Sequence, residues 1–267
     1  MVLALKGLNH VVGVTSVDWL LNDRVNGWRF GHEGDNEPNF PTEKMQFLRQ
    51  IYSKSTEPDK YDGRVTVPVL FDTVTNKIVN NESSEIIQMF NSEFNEFATN
   101  PHLDLYPADL QAEIDQVNEW VYDTVNNGVY KCGFATAQAP YEKSYGELFA
   151  SLDKLDDMLD KKRYLVSNTR LTLADVRLFT TLVRFDTVYH THFKCNRQLL
   201  TQYRNLHQYT MDIYQMPGVR ETVNMRHIKY HYYMSHDSIN PHRLVPPFEQ
   251  TFDGPHGRAE KFAGSAE

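Results

Sequence analysis

The chain has 267 residues, 40% of them hydrophobic and 23% charged, with a net charge of −8 and an isoelectric point near 5.8; this supports two domains with packed cores. The acidic balance, with no run of lysines and arginines, argues against a nucleic-acid partner. Two cysteines without a Cys-x-x-Cys pair exclude a disulfide scaffold and fit a reducing compartment, so a cytoplasmic location is expected, and no apolar stretch reaches the length of a membrane span.

At the amino end the apolar run Val2 to Leu5 is too short for a signal core, and its lysine follows it. Asn9 to Leu21 contains Val11, Val12, Val14 and Val17, a β-branched run that predicts a strand. Asp23 to Asn39 is rich in Gly and Asn. Helical spacing at Met45, Leu48 and Ile51 is followed by a turn at Tyr61-Asp62-Gly63 and a strand from Val65 to Phe71. Thr75-Asn76 turns into a short strand, Lys77 to Val79, and a helix runs from about Ser83 to Phe90.

Residues Phe97 to Pro107, with prolines at Pro101 and Pro107, read as a linker. Beyond it, Leu110, Ile114, Val117, Val121 and Val125, then Tyr145, Leu148, Leu152, Leu155 and Leu159, recur at the spacing of amphipathic bundle helices. Thr172-Leu173-Ala174-Asp175 is a capping box opening an apolar helix, a structural role. The tail from Asp237, with four prolines, predicts no regular element, and its last ten residues read as disordered.

Pro68 ends a β-branched run, removes a ladder donor and permits a cis bond, leaving the Val67 backbone free to pair with an extended peptide. Glu82-Ser83 opens a helix whose terminal N–H groups favour a carboxylate, and Arg64 offers a cation. That combination suits an anionic extended tripeptide such as glutathione. On spacing alone the plainer reading, an edge strand ending at proline followed by an ordinary helix start, is favoured. His227 and His231, and His190 and His192, lack convergent third and fourth ligands, so no metal is expected. Cys132 follows Tyr130 by two positions, about 200° around a helix, and is expected to pack.

Longer motifs reverse that balance. Asn26-Gly27-Trp28, Asp123 to Ala135, Arg184 to Tyr189, Thr191 to Cys195, and His231-Tyr232 before Ser235-His236 resemble the glutathionyl-hydroquinone reductases, the Xi-class or omega-like glutathione transferases, from about Val2 to Gly257. The resemblance implies an α/β plus all-α architecture: a thioredoxin-like glutathione-binding domain at 1–96 lacking its first strand, a linker at 97–107, an α-helical bundle at 108–236 and an irregular tail at 237–267. It implies glutathione as co-substrate, an aromatic hydroquinone substrate and a homodimer. Trp28, Arg64, Val65, Thr66, Val67, Pro68, Glu82 and Ser83 would bind glutathione, with Glu82 pairing the γ-glutamyl ammonium. Tyr130 would give a proton to the departing quinol, and Tyr189 and Tyr232 would face its pocket; with 15 tyrosines in the chain, packing is the plainer reading of each without the motifs.

In that family the nucleophile sits in a Cys-Pro-Trp-Ala loop between the first strand and first helix, and the resemblance begins inside that helix, so no such loop is found. The expected edge at Val11 to Val17 would then lack neighbours. Two functions are compatible with these features: glutathione-dependent reduction of glutathionyl-hydroquinones, or a non-catalytic glutathione-transferase-fold protein that binds ligands or serves as a partner subunit.

Overall fold

The first helix, α1 (Val2–Lys6), is too short to be stable alone and depends on the groups that meet its ends. The buried Lys6 ammonium donates to the Leu103 carbonyl at 2.6 Å, and the Lys6 carbonyl accepts from Asn100 N–H at 3.1 Å. Gly7 comes next at φ +66°, and a Cβ there would lie 1.7 Å from Thr99 Oγ1, so the close approach of residues 99–103 requires glycine. The computed structural model describes residues 1–23, 25–31, 45–56, 60–248 and 250–264, and the chain divides into units spanning Val2–Leu103 and Asp104–Glu267.

In the amino-terminal unit, α2 (Leu48–Lys54) buries Leu48, Ile51 and Tyr52, three and four residues apart, among Val17, Trp28, Val65, Phe71 and Ile78. Strands β1 (Leu70–Asp72) and β2 (Lys77–Asn80) form an antiparallel hairpin. Its turn is closed by the Asp72 carboxylate, which accepts from Val74 N–H at 2.8 Å and Thr75 Oγ1 at 2.7 Å. Helix α3 (Ser83–Ser92) buries Ile86 and Phe90 and packs on α1.

Two strand expectations need correction. Val11 to Val17 forms no strand: Val11 and Val12 N–H turn back to the Leu8 carbonyl, and Val11 and Val14 are exposed. β-Branching describes a side chain suited to a pleated surface, and among the described residues no neighbouring strand supplies that surface. The Val65 to Phe71 strand contracts to Leu70–Asp72, because proline cannot donate to a ladder at position 68. Part of the Asp23 to Asn39 segment lies outside the described residues.

The carboxy-terminal unit contains α4 (Gln111–Val121), α5 (Gly128–Gly133), α6 (Gln138–Lys161), α7 (Leu173–Leu182), α8 (His190–His192), α9 (Arg204–Tyr214), α10 (Met225–Ser235) and α11 (Arg258–Lys261). Leu148, Leu152, Leu155 and Leu159 form the buried stripe of α6 and Ile114, Val117 and Val121 that of α4. The capping box is present at the start of α7. Asp175 also reaches beyond it: its fully buried carboxylate accepts from Thr172 N–H at 2.9 Å, Thr172 Oγ1 at 2.8 Å, Leu165 N–H at 2.8 Å and Tyr209 Oη at 2.8 Å. Burial pushes its pKa up, and these bonds oppose the rise.

The tail also departs from expectation. Arg258 is fully buried, donating to the carbonyls of Leu159, Lys162 and Arg163 at 3.0, 2.7 and 2.7 Å, and α11 begins after Gly257 at φ +66°. The unsatisfied carbonyls at the end of α6 are a strong attractor for a guanidinium, and this overrides the disorder that proline and glycine content suggests.

Asp175→Ala should therefore cost about 3–5 kcal/mol by leaving several buried donors unpaired, whereas Tyr209→Phe, which deletes one donor, should cost about 1 kcal/mol. Urea unfolding of both variants measures the difference; equal, small losses would show that the carboxylate does not organise this unit.

Candidate functional site

In the amino-terminal unit the Val67–Pro68 peptide is cis, and Val67, just ahead of β1, is 43% exposed. The preceding segment is held from beneath by Tyr52 of α2, whose hydroxyl donates to the Thr66 carbonyl at 2.9 Å. Asn81 Nδ2 donates to that same hydroxyl at 3.1 Å and lies 3.3 Å from Thr66 Oγ1. Residues 65–68 and the start of α3 are thus tied together through one buried phenol. Ser83 and Glu82 are exposed at that start, at the positive end of the helix dipole, and the N-cap Glu82 side chain makes no capping hydrogen bond. Glu82 N–H is held by Asn80 Oδ1 at 2.7 Å.

Arg64 is exposed, its carbonyl fixed by Tyr61 Oη at 3.0 Å. Trp28, like Val65, packs against the α2 cluster, and its carbonyl accepts from Leu48 N–H at 2.8 Å. Sequence reasoning misses Tyr52, a core position by spacing whose hydroxyl works on a segment fourteen residues away. Asn81 directly precedes the Glu82-Ser83 pair, but its role depends on Tyr52.

In the carboxy-terminal unit, the helix from Gln111 does not run on to Val125. It widens at Val121 into a π-turn, Tyr122–Asn126, where Asn126 Nδ2 donates to the Arg177 carbonyl at 3.0 Å and Thr181 Oγ1 at 2.7 Å. That tie to α7 sets the start of α5, which carries Tyr130. At the other end of α5 a Cβ on Gly133 would come 2.2 Å from the Phe193 ring, so only glycine lets α5 lie against it. A second π-turn, Phe185–Tyr189, presents Tyr189, and α10 brings Tyr232. Tyr233 Oη donates to the Thr187 carbonyl at 3.2 Å, fixing α10 to that turn.

The three tyrosines meet. Tyr189 and Tyr232 hydroxyls are 2.8 Å apart, and Tyr232 is also hydrogen-bonded to Tyr130. Tyr130 is 38% exposed, Tyr232 6% and Tyr189 2%, so the cluster runs from the interior to the surface. Phe193, absent from the sequence-based candidates, is its centre: its ring lies 5.3 Å from Tyr130, stacked 5.5 Å from Tyr189, and 5.6 Å from Tyr232. The exposed Phe134 stacks beside Tyr130 one turn later on the chain. Burial pushes the Tyr189 and Tyr232 phenols well above their ordinary range.

The histidine pairs chosen on spacing are not the pairs the fold makes. His192 Nε2 lies 3.1 Å from His236 Nδ1, and His236 stacks over Phe193. Burial holds both imidazoles down to about 4. Cys132 and Cys195 are free and buried; the hydrogen bond to Cys132, and then burial, push the Cys195 thiol up. The same hydrogen bond draws the Cys132 thiol down, against the effect of burial.

Residues 138–210 match the sequence pattern of the glutathione S-transferase C-terminal domain. The glutathionyl-hydroquinone reductase YqjG of Escherichia coli K12 is 47% identical over 260 residues, covering 97% of this chain and 77% of that protein. PcpF of Sphingobium chlorophenolicum, also a glutathionyl-hydroquinone reductase, is 45% identical, with 91% and 75% covered. The glutathione-bound structure of YqjG superimposes with a TM-score of 0.91 at 46% identity, covering 97% of this chain and 83% of that one. A Xi-class enzyme from Natrialba magadii gives 0.90 at 46% identity, covering 97% and 78%.

A histidine with a folded pKa near 4 and an unfolded value near 6.5 binds its proton mainly on unfolding between those limits, so stability rises with pH there. The contribution is complete above about 6.5 and is lost as pH falls toward 4. The urea midpoint should fall over this window, and His192→Asn should flatten that slope; parallel profiles would show that the imidazole is not titrating on unfolding.

Proposed function

Because the chain belongs to the glutathionyl-hydroquinone reductases, the Xi-class glutathione transferases, we propose that it uses glutathione to reduce glutathionyl-hydroquinones. The observation that carries this reading is the tyrosine cluster: three phenols on separate elements joined by hydrogen bonds, with one end at the surface. A quinol ring needs an apolar, aromatic setting with a few polar groups aimed at its oxygens.

In the reaction a thiolate attacks the sulfur of the glutathionyl-hydroquinone. A sulfur–sulfur bond forms, the sulfur–carbon bond breaks, and the departing ring takes up a proton; a second thiol completes the conversion to glutathione disulfide. Tyr130, the exposed member, is assigned the proton donor, and Tyr232 lies behind it. Tyr189 belongs to the same cluster, with its hydroxyl turned to Tyr232.

The amino-terminal unit is assigned the glutathione site. The backbone of Val67 would pair with the cysteinyl part of the tripeptide, the start of α3 with Ser83 would take one carboxylate, and Arg64 the other. Glu82 would hold the γ-glutamyl ammonium, and Trp28, with Val65, Thr66 and Pro68, the wall beside it. A homodimer and a cytoplasmic location belong to the same reading, supported by the family resemblance and by two cysteines left unpaired.

Cys132 and Cys195 are both buried, and the groups assigned here serve binding and proton transfer. A second reading is a protein that binds glutathione and aromatic ligands without chemistry, and a rate measurement separates the two.

Ser83→Ala and Arg64→Ala should each weaken glutathione binding by about 1–3 kcal/mol in calorimetry, the scale of a lost charge-assisted hydrogen bond. Unchanged affinity in both would reduce the motif to a structural role. Tyr130→Phe should slow single turnover of a glutathionyl-hydroquinone by about 100-fold or more, the usual contribution of a placed general acid. An unaltered rate would remove Tyr130 from the chemistry, and a wild-type chain that binds both ligands without turning over would establish the second reading.

A further inference from the structure

We propose that the three phenols form a hydrogen-bond chain of fixed direction, Tyr189 to Tyr232 to Tyr130, so that Tyr189 is a positioning residue that never touches substrate and Tyr130 holds its proton outward. A phenol has one proton to give and can accept through its oxygen. Tyr189 is buried, its ring between Phe185 and Phe193, and among the described residues its hydroxyl meets one partner, Tyr232. A Tyr189 proton turned elsewhere would meet no acceptor among the described residues and be an unpaired buried donor, so Tyr189 donates.

Tyr232 is constrained in turn. Its oxygen has accepted from Tyr189, and the remaining partner for its own proton among the described residues is Tyr130. Tyr232 therefore donates to Tyr130. The Tyr130 hydroxyl, at the exposed end, is left with its proton free to face a ligand. The reverse order would strand a proton at the closed end.

A consequence for chemistry rests on the reading of Tyr130 as proton donor. When its proton leaves, the charge on its oxygen is met by a Tyr232 hydroxyl already polarised by Tyr189, since successive hydrogen bonds strengthen one another. Direction in the chain thus leaves the outermost phenol with a donor behind its oxygen.

Neutron diffraction from deuterated crystals reads the direction itself. The Tyr189 deuteron should lie on the line to Tyr232 Oη, the Tyr232 deuteron on the line to Tyr130 Oη, and the Tyr130 deuteron off that line; a Tyr130 deuteron pointing at Tyr232 would overturn the proposal. Calorimetry with 4-nitrophenolate, an acceptor, and 4-nitroanisole, which lacks the charged oxygen, gives a second reading in solution. The wild type should prefer the phenolate, and Tyr189→Phe should weaken the phenolate about threefold to tenfold while leaving the anisole unchanged. Equal weakening of both probes, an effect on neither, or no preference in the wild type would each overturn it. Deuterons placed as described together with full turnover by Tyr130→Phe would uphold the direction while ending the proton-donor reading.

Discussion

A buried carboxylate organises the carboxy-terminal unit. Asp175 belongs by sequence to the first turn of α7, where a local capping box would satisfy it, yet its other oxygen gathers Leu165 N–H from the segment before the helix and Tyr209 Oη from α9. Taking a carboxylate out of water is costly unless its lone pairs are filled, and filling them here requires these segments to be in place together. The position of α7 then governs the groups that hang on it. Asn126 binds its Arg177 carbonyl and Thr181 hydroxyl, and the chain leaving its far end enters the turn that holds Tyr189.

Both π-turns sit beside tyrosines of the cluster. An α-helix places successive side chains 100° apart, and the extra residue of a π-turn re-aims the side chains beyond it without breaking the helix. Tyr130 lies just past the first such turn and Tyr189 ends the second. Thr187, within the second turn, offers the carbonyl that Tyr233 grips, so the helix bearing Tyr232 is registered against the same distortion. Phe193 fills the space between the three rings, and the missing side chain at Gly133 makes room for it.

In the amino-terminal unit the supporting element is again a phenol used from below. Tyr52 contributes apolar area to the α2 cluster while its hydroxyl holds Thr66 and meets Asn81, so one side chain joins the core, the segment before Pro68 and the start of α3. The surface groups assigned to glutathione are therefore carried on backbone whose position is fixed by buried contacts, which is what allows exposed donors to be aimed at all.

Local signals were legible in the chain: the stripes of α4 and α6, the capping box at Thr172, the hairpin turn near Asn76 and the helix from Ser83 each arise from spacing and turn chemistry within a few residues. The long motifs around Tyr130, Tyr189 and Tyr232 identified the family before any coordinate did. Contacts across the fold were not legible. Val11 to Val17 has the composition of a strand but no partner strand among the described residues, and the tail has the composition of a coil but places Arg258 on the carbonyls that end α6. Sequence also could not order the three phenols, for which identity and spacing are silent on exposure. A hydroxyl's direction depends on which neighbours remain to accept its proton, and only the packed tertiary structure decides that.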